Sequence, residues 1–308
     1  MKITGEADFF VKQYGIEKGL EKLAKLGYKT VSYSLREMHT DSTFGEWTKD
    51  KMEAHYELLR DALSRFQLQL SYLVMDRGIY SESSPDSVEA RRKWCVQAVR
   101  VAAYLGCKWV VIRPAEVATS RTDAYERSKE ILCQALVAMK EEGEKLGVKP
   151  AVENLAKFHI YGDRGVELLE LAEKYEVGIL LNPVNAYTVR EQMPCFTTTG
   201  YWDGPTRIYR DEMQDDNMVS LLKKHLIGVV FNDIERTIGN PVLPLMGVID
   251  YRSIRKVIGK SSEDICLTVA YQPIFKRYED FCEEGNLMNI IAEYFYQMAV
   301  AIGEKEDL

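Results

Sequence analysis

The amino-acid sequence predicts an α/β fold closed as a (β/α)8 barrel, with any ligand site at the carboxyl ends of its strands. Three observations predict it. Short β-branched runs alternate with longer amphipathic runs about eight times, and such alternation implies parallel strands joined by helical crossovers. Several strand runs, such as VGILLN, are apolar almost throughout, as strands covered on both faces must be. The 308 residues, 46% of them hydrophobic, suit one barrel, which takes ~250 residues plus insertions.

The elements follow in order. Met1–Asp8 is the expected first strand, and Gly15–Gly27 the first helix, because Ile16, Leu20, Leu23 and Ala24 share a face and glycine follows the last turn. Thr30–Leu35 is the second strand and Lys51–Phe66 the next helix. Leu68–Asp76 forms the third strand, alternating at first and then nearly all apolar. Ser84 and Pro85 offer a capping serine and a first-turn proline to a helix reaching Gly106. Trp109–Arg113, Ala124–Leu146, Pro150–Leu155, Gly165–Tyr175 and Val177–Asn182 continue the strand and helix rhythm. It breaks over 186–216, an aromatic and polar insertion without a clear period, where a connection of ~2–6 residues is usual. A helix over Asn217–His225, a strand over Ile227–Asp233, a helix over Tyr251–Ile258, a strand over Ile265–Tyr271 and a last helix over Leu287–Ile302 complete the ring. No linker divides the chain, so a single domain over 1–308 is expected.

Composition excludes several function classes. A net charge of -7 offers no general attraction to nucleic acid or to an anionic membrane surface. No run approaches the ~20 apolar residues of a membrane span, and MKITGEADFF lacks the basic start and apolar core of a secretion signal. The six cysteines are scattered with no C-x-x-C pair, which reads as free thiols in a reducing, cytoplasmic setting. Phosphate-cradling glycine motifs and the G-x-S-x-G nucleophile turn do not occur.

Taken in order, LEKLAKLGYKTVSYS, AVRVAAYLGCKWVVIRPA, GVKPAVENLAKF, VGILLNPVNAY, GVVFNDI and LPLMGVIDYRSI resemble the xylose-isomerase-like barrels. That superfamily includes sugar-phosphate isomerases and epimerases, tagatose-3-epimerase-like enzymes, inosose dehydratases and type IV endonucleases. The resemblance implies a divalent ion, Mn or Mg, at the barrel mouth, held by a glutamate, an aspartate, a histidine and a second glutamate on strands five to eight. Hard cations take such oxygen ligands, and the flanking carboxylates can also move a proton. Matched position by position, Glu153 retains the first ligand, whereas Asn182, Val230 and Ala270 stand at the other three. Asn185 replaces a further motif histidine, and Arg113-Pro114 stands where histidine-proline is common. With most anionic charge removed, no metal or other cofactor is expected, and one returns only if this matching is wrong. Endonuclease chemistry, which in that branch uses many histidines, is disfavoured by a total of four.

Glu153 is the candidate base, with Arg113 placed to pair with it or to stabilise charge on a substrate oxygen. A purely structural Arg113–Glu153 ion pair is an equal alternative. His159, just beyond strand five, can act as acid or base near neutral pH. Asn182, Asn185, Asn232, Asp233, Asp76, Arg36, Gln272 and Trp202 are the candidate substrate contacts, set against turn-forming, capping, solvated or interface roles. The expected function is that of a sugar or polyol isomerase or epimerase, or a related lyase, acting by proton transfer next to a carbonyl. The rival reading is a noncatalytic carbohydrate-binding or scaffold homologue, a subunit of a hetero-oligomer. Expected partners are a small sugar or polyol and further copies of the chain, without nucleic acid or membrane.

Overall fold

Eight parallel strands close into a barrel in the order β1-β10-β7-β6-β5-β4-β3-β2, where the numbering follows the chain. The computed structural model describes residues 1–35, 49–75, 86–113, 124–154, 165–186, 215–235, 241–259, 264–271, 273–274 and 285–304. The barrel strands are β1 (Lys2–Glu6), β2 (Thr30–Ser34), β3 (Gln69–Val74), β4 (Trp109–Ile112), β5 (Lys149–Glu153), β6 (Gly178–Leu181), β7 (Leu226–Phe231) and β10 (Cys266–Val269). The helices are α1 (Asp8–Tyr14), α2 (Ile16–Leu26), α3 (Lys49–Arg65), α4 (Asp86–Tyr104), α5 (Ala124–Leu146), α6 (Gly165–Tyr175), α7 (Asp215–Leu222), α8 (Tyr251–Ile258) and α9 (Gly285–Glu304). No described helix is long and apolar enough to cross a membrane.

Strand alternation sorts the core into two clusters. Val31, Tyr33, Val110, Ile112, Val152, Ile179, Val229, Phe231, Leu267 and Val269 join the helices in the outer layer. The alternate residues Tyr72, Val111, Ala151, Leu180, Val230, Cys266 and Ala270 fill the lumen. Side chains two apart on a strand share a face, so the same parity carries each strand from lumen filling at its base to site residues at its end. On β1, β2, β3 and β10 the lumen is polar: Thr4 Oγ1 lies 2.9 Å from Thr30 Oγ1 and 2.8 Å from Ser71 Oγ, and Tyr72 donates to Thr268 Oγ1 at 2.8 Å. Buried hydroxyls satisfy one another there, which keeps desolvation from costing stability.

Three elements depart most from the sequence reading. The expected strand Met1–Asp8 stops at Glu6, and Asp8 opens helix α1. This seven-residue helix is too short to show a period, and it is held by burial of Phe10 and Val11. Its backbone lies directly on α2, where a Cβ at Gly19 would come within 2.7 Å of the Phe10 carbonyl carbon. The expected strand Ile227–Asp233 instead ends at Phe231, and β8 (Asp233–Ile234) pairs antiparallel with β9 (Pro241–Val242) as a separate ribbon. The helix expected over Asn217–His225 runs Asp215–Leu222. Ser84, Pro85 and most of the 186–216 insertion lie outside the described residues.

Candidate functional site

A cleft of ≈ 280 Å³ opens at the carboxyl ends of the strands, lined among others by Glu6, Ser34, Arg113, Glu153, Asn182 and Asn232. Its centre is an ion pair. Arg113 follows β4 and donates from Nε to Glu153 Oε2 at 2.8 Å, with the Glu153 side chain 2% exposed and that of Arg113 31%. Asn182 Nδ2 donates to the other carboxylate oxygen, Oε1, at 3.2 Å. Both oxygens of Glu153 are therefore engaged by donors.

Asn154, which the sequence reading passed over, sets this geometry. Fully buried, it accepts from Asn182 N at 2.6 Å and donates from Nδ2 to the Asn182 carbonyl at 3.0 Å. The pair of bonds ties the end of β5 to the end of β6, and so aims Asn182 at Glu153. Asn185 turns back to donate to the Asn154 carbonyl at 2.8 Å. Its side-chain N–H thus ties the short helical turn over residues 183–186 back to the end of β5.

Across the cleft, Asn232 and Asp233 do different things. Asp233 is 1% exposed, and its carboxylate accepts from the backbone N–H groups of Ile234, Gly247, Val248 and Ile249 at 2.9–3.2 Å. Burial pushes its carboxyl above the ordinary value, while the four N–H groups pull it back. With those donors around it, Asp233 organises the loop after β9. Asn232 lines the cleft, 8% exposed, and its Oδ1 has no hydrogen-bond partner among the described residues. Ser34, 4% exposed at the end of β2, likewise presents a hydroxyl without a partner among them. A buried acceptor left unsatisfied costs roughly 1–3 kcal/mol, so Asn232 Oδ1 and Ser34 Oγ are the polar atoms of the cleft lining that no described residue engages.

The structure thus brings together Glu153, Arg113, Asn182 and Asn232, and places Asn185 beside them in a turn. His159, Asp76, Arg36, Gln272 and Trp202 lie outside the described residues. Glu6, Asp8, Ser32, Ser34, Tyr72 and Thr268 line the cleft but were not singled out from sequence. Their signal was the lumen parity itself: Thr4 and Glu6 on β1, and Thr30, Ser32 and Ser34 on β2, alternate with apolar residues or glycine. Among the described residues, no group of three or more His, Cys, Asp or Glu is placed to hold a metal ion.

A family model of the xylose isomerase-like TIM barrel matches residues 20–280. The chain belongs to that family. Among solved structures, this xylose isomerase-like barrel resembles a putative xylose isomerase from Rhodospirillum rubrum, at 15% identity and a TM-score of 0.71, over 97% of this chain and 99% of the other. It also resembles a D-psicose 3-epimerase with D-tagatose from Clostridium cellulolyticum, at 13% identity and a TM-score of 0.67, over 99% and 100%. A D-allulose 3-epimerase from Methylomonas sp. aligns at 12% identity and a TM-score of 0.58, over 97% and 98%. At such identities the likeness speaks for the fold alone. No curated protein matches the sequence.

Proposed function

We propose that this xylose isomerase-like barrel is a sugar or polyol isomerase or epimerase that moves a proton next to a carbonyl and works without the family's usual metal. The observation that carries the reading is the buried Glu153 carboxylate held between Arg113 and Asn182 at the floor of the cleft. A carboxylate offers about four acceptor positions, so two donors orient it and still leave it able to take a proton. Arg113, always charged, supplies positive charge that can stabilise an oxygen becoming an enolate. Asn232 and Ser34 supply polar atoms for hydroxyl groups of the ligand. The structural neighbours named as D-psicose 3-epimerase, one of them with D-tagatose, and as D-allulose 3-epimerase support a ketose as the substrate class.

The donor set does not fit a divalent ion. The two Glu153 oxygens already face N–H groups, and the neighbouring ligand positions carry an amide, Asn182, and the hydrocarbon side chains of Val230 and Ala270. A hard cation needs anionic oxygens in number, and among the described residues no group of three or more His, Cys, Asp or Glu is placed to supply them. The double engagement of Glu153 equally suits a second reading, a noncatalytic carbohydrate-binding homologue whose ion pair is structural.

The discriminating experiment assays D-psicose, D-tagatose and D-fructose with wild type and Glu153→Gln, with and without manganese. Loss of turnover by ~10²-fold or more in the variant, with its circular dichroism unchanged, is the expected result. Arg113 is partly exposed and remains hydrated, so the fold should survive. Wild-type binding of these sugars without turnover would favour the binding homologue, and stoichiometric manganese in equilibrium dialysis would refute the metal-free site.

A further inference from the structure

We propose that Glu6, at the end of β1, is the second proton-transfer group of the site, acting on the face of the substrate opposite Glu153. The inference rests on the proton-transfer reading of Glu153 given above. Inverting a carbon beside a carbonyl requires removal of its hydrogen from one face and delivery to the other, so one carboxylate at one wall is not sufficient. Three observations place Glu6 at the other wall. In the strand order, β5 is the fourth neighbour of β1 in either direction, so the two strands stand diametrically opposed. Glu6 and Glu153 both line the same cleft. And the β1 to β10 register pairs Thr4 with Thr268 and Gly5 with Val269, which brings Glu6 level with Ala270. Ala270 is a cleft residue that contributes only a methyl group, and Glu6 lines the same cleft from the neighbouring strand.

Glu6 is also held. Its Oε2 accepts from the Tyr271 backbone N–H at 2.9 Å, the residue after Ala270, which anchors the carboxyl group at the closing seam of the barrel. In the step proposed, Glu153 takes the C–H proton, the bonding pair forms a carbon–carbon double bond, and the carbonyl oxygen gains the negative charge beside Arg113. Glu6, in its acid form, then gives a proton to the opposite face of the same carbon as the carbonyl reforms. No oxidant or co-reactant is consumed; the two carboxyl groups exchange protonation states and solvent resets them.

A backbone cap would be the purely structural role of Glu6, and Glu6→Gln separates the two. Glutamine keeps an oxygen that can accept from Tyr271 N but cannot carry the proton. In D2O, with D-psicose and D-fructose supplied separately, Glu6→Gln should interconvert them ~10²-fold or more slowly. It should still wash deuterium into one epimer only, and Glu153→Gln into the other only. The wild-type protein gives a variant-free test: the inverted carbon of the product should carry solvent deuterium from the first turnovers. Transfer of the substrate's own hydrogen into the product would mean that one group serves both faces and would overturn the proposal. So would near wild-type interconversion by Glu6→Gln beside an inactive Glu153→Gln, a result that leaves the Glu153 reading standing. A wild-type protein that neither interconverts nor exchanges either sugar overturns both.

Discussion

Asp233 and Gly247 show how single residues shape the mouth of the barrel. A Cβ at Gly247 would lie 2.2 Å from Asp233 Oδ1 and 2.4 Å from the Ile234 carbonyl oxygen, so the loop can offer its N–H groups to the carboxylate only because that side chain is missing. Gly247→Ala should therefore destabilise the protein by about 1–3 kcal/mol, the usual cost of overpacking, read as a lowered melting temperature. Combined with Asp233→Ala, the loss should be smaller than the sum, since both changes break the same contacts. From sequence, Asp233 is an acid after a strand, equally able to bind a ligand or cap a loop. The choice depends on where residues 247–249 fold back, which no local pattern records. Glu153 and Arg113 were legible because each ends a hydrophobic strand with a charged group. Glu6 was not, because its strand also contains Lys2, and one charge among several in a short segment carries no direction.

At the scale of elements, α8 shows the forces that begin and end a helix. Asp250 caps it by accepting from Arg252 N and Ser253 N at 3.1 Å, and from Ser253 Oγ at 2.7 Å; Tyr251, Ile254 and Ile258 make its buried face. The Ser253 hydroxyl, above all, holds the Asp250 carboxyl below its ordinary value of 3.8, with backbone N–H groups helping and partial burial opposing. Because the folded value is the lower one, the cap's contribution is complete above pH 3.8 and fades as the pH falls through the folded value. Asp250→Ala should cost about 1 kcal/mol near neutral pH, and its difference from wild type in thermal melts should shrink in acid. A difference that persists unchanged to the lowest pH at which the fold survives would refute the cap's electrostatic part. The sequence shows α2 and α8 through their apolar periodicity, but α1 and the β8–β9 ribbon owe their existence to neighbours. Seven and two residues, respectively, are too few for a period.

For the whole molecule the decisive event is closure, where β1 pairs with β2 on one side and β10 on the other. Aromatic residues latch that seam: Tyr28 and Tyr271 hydroxyls meet at 2.6 Å, Tyr271 donates to the Ala292 carbonyl of α9 at 3.3 Å, and Tyr296 donates to the Gly27 carbonyl at 3.2 Å. Burial raises the Tyr28 and Tyr271 hydroxyls above the ordinary value of 10.0, as it does Tyr72 in the lumen. Burial also pushes the Cys107 and Cys266 thiols up to about 11 from 9.0. All of these groups ionise more readily in the unfolded chain, so their effect on stability is complete below pH 9.0 and is lost progressively above it. The melting temperature should fall steadily above pH 9.0. Exposed tyrosines such as Tyr104 ionise in the folded protein, so the check is the absorbance lost on replacing Tyr28 and Tyr271 by phenylalanine, which should appear in the wild type only with the loss of helical circular dichroism; its appearance well before unfolding would show that the latch is open to solvent.

The sequence by itself determined the barrel and the course of most of its strands and helices, because buried parallel strands and amphipathic helices write their periods into short windows of residues. Tertiary structure alone decided that Arg113 and Asn182 take different oxygens of Glu153, that Asp233 turns to backbone, and that Glu6 lines the same cleft as Glu153. Those relations join residues on strands that become neighbours or opposites only when the sheet closes on itself, and distance through space is not encoded in distance along the chain.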